Sequence, residues 1–131
     1  MPDAVPFDPT TGLPPGKQLD PVLEISPVAA KAALHGGGVT LIDCREPHEH
    51  QMTRIDGGEL VPLSTMDVPK LTALADRLRA EGRPVIVYCR VGGRSLGLTA
   101  ELSKLGVPDV RSMAGGINAW NTAVEPGGLT Y

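Results

Sequence analysis

Large rings are scarce in this chain: among 131 residues only Phe7, Tyr88, Trp120 and Tyr131 are aromatic, so any core must be built mainly from aliphatic side chains. Cysteine is scarcer still, with Cys44 and Cys89 alone. Two thiols cannot frame a disulfide scaffold, and a chain of this kind is expected in a reducing, cytoplasmic setting. The opening MPDAVPFDPT is acidic and proline-rich rather than basic and then apolar, so no secretory signal is read there. Apolar runs extend for a handful of residues, against the ~20 that a membrane-spanning helix requires. Positive charge is not in excess, since 12 Lys and Arg face 15 Asp and Glu. A net charge of -3 gives no general attraction to nucleic acid or to an anionic membrane, and neither is expected as a partner.

What is present is an ordinary globular mixture, 41% hydrophobic and 21% charged, at a length that suits one domain. Six of the 13 prolines fall in residues 1–21 (Pro2, Pro6, Pro9, Pro14, Pro15 and Pro21), which therefore read as an extended arm. That arm is expected to be loose or draped over the domain, with Phe7 as its only large anchor. The domain itself is read over 22–125, followed by a short tail, 126–131.

From Val22 onward strand and helix signals alternate. Val22–Ile25 and the β-branched run Val39–Cys44 read as strands, the second buried on both faces. Ser26-Pro27 supplies an N-cap and a first-turn proline for a helix over Val28–Leu34, which the glycines at 36–38 stop. A helical turn is expected around Glu46–Met52, and a short strand over Leu60–Leu63 that Pro62 limits. Leu71, Leu74, Ala75 and Leu78 predict a helix closed by Gly82. Pro84–Tyr88 is a second buried strand, Ser95–Leu105 a helix, Asp109–Met113 a last strand and Ile117–Thr122 a last helix, with Trp120 as a core anchor. Such alternation predicts an α/β fold: a central parallel sheet of about five short strands with helices on both faces. Sites in such sheets lie at the carboxyl ends of the strands, and both cysteines end the two best strands.

The segment Cys89-Arg90-Val91-Gly92-Gly93-Arg94-Ser95 links a buried strand to a helix start. Its two glycines allow the backbone to curl, so that successive N–H groups converge beside the positive end of the following helix. Arg90 and Arg94 add two full positive charges, and Val91 gives the loop one apolar wall. A cysteine facing that arrangement is biased towards thiolate, the form that attacks and carries atoms.

Three segments in order resemble the rhodanese-like sulfurtransferases. They are Leu41–Pro47, with Glu49 and then Ile55–Leu63; the loop Cys89–Arg94; and Met113–Trp120. The resemblance covers about residues 22–125. It implies a rhodanese-like fold in which Cys89 is the nucleophile that accepts a sulfane sulfur as a persulfide. The backbone from Arg90 to Ser95 would form the cradle, with Arg90 and Arg94 drawing in a small anionic donor such as thiosulfate or a persulfide. Cyanide, a thiol or a sulfur-acceptor protein would take the sulfur, with no metal or organic cofactor. Two other classes stay open. One is a non-catalytic binding module of the same fold. The other is a cysteine phosphatase or arsenate reductase, a class whose loop places five residues between Cys and Arg, where Cys89 and Arg94 enclose four.

Among the remaining polar residues, Asp43 and Arg45 are expected as a supporting ion pair that braces the loops, with a positive field at the pocket as the alternative role for Arg45. Cys44 alternates away from both and reads as a buried packing thiol, or else as a resolving partner for Cys89. His35, His48 and His50 share no metal-ligand spacing with the cysteines and read as solvent-exposed or rim residues.

Overall fold

The computed structural model describes residues 7–131; the first six residues, and with them Pro2 and Pro6 of the expected arm, lie outside the described residues. The aliphatic runs form one parallel sheet of five strands: β1 (Glu24–Ile25), β2 (Thr40–Asp43), β3 (Glu59–Leu60), β4 (Val85–Tyr88) and β5 (Val110–Met113). Their order across the sheet is β1-β5-β4-β2-β3, so the two longest apolar strands, β2 and β4, lie side by side at its centre. Connections pass through α1 (Pro27–Gly36), α2 (Pro47–Met52), α3 (Val68–Glu81) and α4 (Gly93–Lys104), and α5 (Gly116–Ala119) follows β5.

Alternation along the strands divides the core. On one face Ile42, Cys44, Val85, Val87 and Cys89 pack with Leu74 and Leu78 of α3 and with Leu98 and Leu102 of α4. On the other, Leu41, Ile86, Tyr88 and Met113 pack with Ala30, Ile117 and Trp120. Every residue of β4 is buried, as a parallel strand covered on both faces requires. The expected caps form: Ser26 Oγ accepts from Ala29 N at 3.1 Å, and Gly82 closes α3 at a φ of 67°.

Local chemistry explains the departures. The first strand begins only at Glu24, because Asp20 Oδ1 accepts from the amides of Val22 and Leu23 and holds them in a turn. β3 ends at Leu60 and Pro62 leads into a 3₁₀ turn, Leu63–Thr65, since proline has no N–H to continue a ladder. The last helix starts one residue early and passes into a π-helical turn, Trp120–Val124, which the 2.8 Å bond from Glu125 N to Trp120 O closes.

The anchor of the N-terminal stretch is Leu13, not Phe7. Leu13 is fully buried while Phe7 is only half-buried. Asp8 makes this possible by accepting from Thr10 N at 2.9 Å, which turns the chain back so that Asp8 N meets Leu13 O at 2.6 Å. Val28 N then donates to Thr11 O at 3.1 Å and ties this turn to α1. No helix of the described residues is long and apolar enough to cross a membrane.

Candidate functional site

Where β4 gives way to α4, the chain turns around the Cys89 sulfur. Gly92 lies at a φ of 110°, a conformation open in practice only to glycine, and there its N–H points at Cys89 Sγ, 3.1 Å away. Ser95 N, in the first turn of α4, approaches the same atom at 3.3 Å, so the positive end of the helix faces the sulfur. Ser95 Oγ stands 3.3 Å from Sγ and 2.7 Å from Ser112 Oγ on β5. If Ser112 donates to it, the Ser95 proton is left for the sulfur. Cys44 adjoins Cys89 in the same buried cluster. The Cys44 thiol is the largest influence lowering the Cys89 pKa; burial opposes it, and the Ser95 hydroxyl and the two amides add to it. The outcome is a pKa of about 5, a thiolate at neutral pH, while the proton stays on Cys44, whose own pKa is pushed well up. Sγ belongs to a residue only 1% exposed, at the bottom of its loop.

The loop is braced from outside by the segment that follows β5. Ile117 N donates to Cys89 O at 2.9 Å and Asn118 N to Arg90 O at 3.1 Å, which turns these carbonyls away from the sulfur. Gly116 allows that approach: at a φ of 60°, a Cβ there would collide with the backbone of Cys89 and Arg90. The freedom expected of both loop glycines is needed only at Gly92. Gly93 is exposed, has no left-handed φ, and a Cβ there would meet nothing within 4 Å.

The arginines divide differently from the expectation. Arg94 does not present an unpaired charge to the pocket: its Nη1 and Nη2 hold the two oxygens of Glu49 on α2 at 2.7 and 2.9 Å. This pairing outweighs burial and, with the 2.6 Å bond donated by Tyr131 Oη, holds the Glu49 carboxyl far below the usual carboxylate range. Arg45 is likewise committed. It is fully buried with Asp43, its Nε 2.9 Å from Oδ1 and its Nη2 2.8 Å from Oδ2. It also donates to Thr53 O and Tyr131 Oη. Burial pushes Asp43 up, but Arg45, then His50 at 2.8 Å, outweigh it and keep the carboxyl below its ordinary value. Arg90 is exposed, pairs with no carboxylate among the described residues, and lies 4.9 Å over the Tyr131 ring. Val91 is also exposed.

The structure thus brings Cys89, Gly92, Ser95 and the start of α4 together and sets Asp43 and Arg45 beside them as a buried pair. Glu49 entered the sequence reading only within the first resembling segment and Ser112 and Tyr131 carried no role there, while His50, read as an exposed or rim residue, is half-buried against Asp43. Of these, Glu49 alone carried a local signal: with Glu46 three residues earlier and Pro47 between them it forms a capping box at the start of α2.

Residues 26–123 match the model of the rhodanese-like domain. The probable adenylyltransferase/sulfurtransferase MoeZ of Mycobacterium tuberculosis is 32% identical over 96 residues, 73% of this chain and 24% of that protein. The adenylyltransferase and sulfurtransferase MOCS3-2 of Zea mays is 33% identical over 98 residues, 73% of this chain and 20% of that protein. The chain therefore spans about a quarter or less of the length of these relatives. Among solved structures, the thiosulfate sulfurtransferase of Pseudomonas aeruginosa shares the fold with a TM-score of 0.68 at 24% identity, over 83% of this chain and 20% of that one. An uncharacterized protein of Saccharomyces cerevisiae does so with a TM-score of 0.62 at 24% identity, over 81% and 96%. The matched span contains strands β2 to β5, the Cys89 loop and the segment that braces it, and the chain belongs to the rhodanese-like domain family.

Proposed function

We propose that the chain is a sulfurtransferase that carries a sulfane sulfur on Cys89. The observation that supports this reading most is the convergence of the Gly92 and Ser95 amides on the Cys89 sulfur. The thiolate attacks the outer sulfur of a small anionic donor, thiosulfate or a persulfide. The donor's S–S bond breaks, sulfite or thiolate leaves with the electron pair, and Cys89 becomes a persulfide. A thiophilic acceptor then attacks the outer sulfur and returns the Cys89 thiolate: cyanide leaves as thiocyanate, a thiol as its persulfide. In the persulfide the negative charge moves out to the second sulfur, where the backbone of Arg90 to Ser95 that encloses it supplies the donors.

Arg90 is the cation that draws in the donor, because its charge is not spent on a carboxylate among the described residues. Arg94 acts through Glu49 to fix the first turn of α4, and the backbone of Arg90 to Ser95 with the Val91 side chain lines the way to the sulfur. Asp43 and Arg45 support the neighbouring strand end. The acceptor in a cytoplasmic setting is a small thiol or a sulfur-acceptor protein. A phosphatase would need Arg94 for its oxyanion, but that guanidinium is already held by both oxygens of Glu49.

The test is intact-mass analysis of the protein before and after thiosulfate, and again after cyanide, with Cys89→Ser alongside. The expected result is gain of one sulfur by the wild type, its loss to cyanide, and no gain by the variant. No uptake from thiosulfate or from glutathione persulfide would overturn the reading and leave a binding module.

A further inference from the structure

The pairing of β2 with β4 places the two cysteines of the chain next to each other. Ile42 is in register with Val87 and Asp43 with Tyr88, and the ladder continues through Cys44 N, which donates to Tyr88 O at 3.1 Å. One step further, Cys44 stands opposite Cys89. Both side chains leave the sheet on the face that packs against α3 and α4, the face also taken by Ile42 and Val87 two residues earlier. Adjacent strands lie ~4.8 Å apart, within the Cα separation that a disulfide bridges, ~4.4–6.8 Å. Packing alone is satisfied by an aliphatic residue at position 44, whereas a thiol there stands within bonding reach of the Cys89 sulfur.

We propose that Cys44 is the resolving thiol of Cys89, so that oxidation by a peroxide ends in an intramolecular Cys44–Cys89 disulfide. The Cys89 thiolate attacks one peroxide oxygen, the O–O bond breaks, and water leaves once the departing hydroxide takes a proton. Cys89 is then a sulfenic acid, oxidised by two electrons. The Cys44 sulfur attacks the Cys89 sulfur, an S–S bond forms as the S–O bond breaks, and the hydroxyl departs with the Cys44 proton as a second water. A cellular thiol or dithiol reductant restores both cysteines. While Cys89 is a thiolate, the Cys44 thiol donates to it and keeps its proton, with burial acting in the same direction; in the neutral sulfenic acid the first of these holds is released. The disulfide occupies the sulfur that would carry any transferred atom, so the oxidised protein is switched off and Cys89 is shielded from irreversible oxidation. This inference needs only a reactive Cys89, and it stands or falls separately from sulfur transfer.

The test treats the reduced full chain with a small excess of hydrogen peroxide, blocks remaining thiols under denaturing conditions and maps the tryptic peptides. Cys44 leaves in the peptide ending at Arg45 and Cys89 in the one ending at Arg90, so the bond joins two separate fragments. The expected product is that linked pair in monomeric protein, lost on treatment with dithiothreitol. Cys44→Val, which keeps an apolar side chain, and Cys44→Ala are expected to send Cys89 to sulfinic and sulfonic acids that dithiothreitol does not reverse. The wild-type map decides even if neither variant folds. Cys89 sulfinic acid beside an unmodified Cys44, or a linked pair found only in dimers, would overturn the proposal.

Discussion

Two clusters share the carboxyl end of the sheet and handle charge by opposite means. Around Cys89 the anion is held by groups without net charge: two amides, a hydroxyl and a thiol. A few residues away, Asp43 with Arg45 and Glu49 with Arg94 neutralise full charges against each other, and Tyr131 joins the two pairs through its hydroxyl. The contrast assigns distinct duties. Dipoles tune a sulfur without locking a counter-ion onto it, so the sulfur stays available to react. Ion pairs fix the elements that carry those dipoles, and their charges are consumed in doing so.

The sharpest way to break this contrast is at the pair with no exposure at all. Arg45→Met leaves the Asp43 carboxylate buried with His50 and Tyr88 as its only side-chain partners, and a loss of about 3–5 kcal/mol is expected in urea unfolding at neutral pH. Asp43→Leu together with Arg45→Met is expected to recover most of that loss, because no charge is then stranded. The folded-state pKa of Asp43 lies below its unfolded value, so the wild-type advantage is present above ~pH 4 and is lost as pH falls through the folded value. A loss under about 1 kcal/mol for the single variant would show that this pair is not structural.

A milder break lies at Glu49→Gln. Arg94 is partly exposed to water, so its unpaired charge is partly solvated, and a stability loss of about 1–2 kcal/mol is expected. The released guanidinium stands beside the Cys89 loop, so the KM for thiosulfate is expected to fall several-fold. Unchanged stability together with unchanged KM would remove the distinction drawn between Arg90 and Arg94.

How much of this was legible in the sequence follows the reach of each interaction. Caps and stops such as Ser26 and Gly82 act within four residues, and their elements were read correctly. The parallel architecture followed from alternation, and the Cys89 loop from residues adjacent in the chain. Of the pairings across the sheet only the approach of Cys44 to Cys89 was read, as one of two alternatives; the others were not legible, because the order β1-β5-β4-β2-β3 is set by which apolar faces pack, not by any local pattern. That order alone puts Cys44 opposite Cys89, Glu49 within reach of Arg94, and Ser112 behind Ser95. Leu13 was missed because the prolines around it dominate the local reading, whereas its burial depends on Asp8 turning the chain back. Tyr131 lies 82 residues from Glu49, and no pattern near it announces the contact.

The smallest expected effect tests the dipole side. In the wild type, alkylation of Cys89 by iodoacetamide should rise through a midpoint near pH 5 and level off well before neutrality. Ser112→Ala removes the hydroxyl that can donate to Ser95 Oγ, and the Ser95 proton is then contested by the Gly92 carbonyl, 3.2 Å away. One neutral hydrogen bond is worth about 1 kcal/mol, so the midpoint should move up by less than about one pH unit, with a matching stability loss of no more than about 1 kcal/mol at neutral pH. Because the folded thiol ionises below the unfolded one, the thiolate adds stability as pH rises from about 5 towards ~8.5, and Ser112→Ala should flatten that rise slightly. A midpoint left in place by Ser112→Ala but moved by Glu49→Gln would mean that net charge, not the dipoles of the cradle, sets the reactivity of the sulfur.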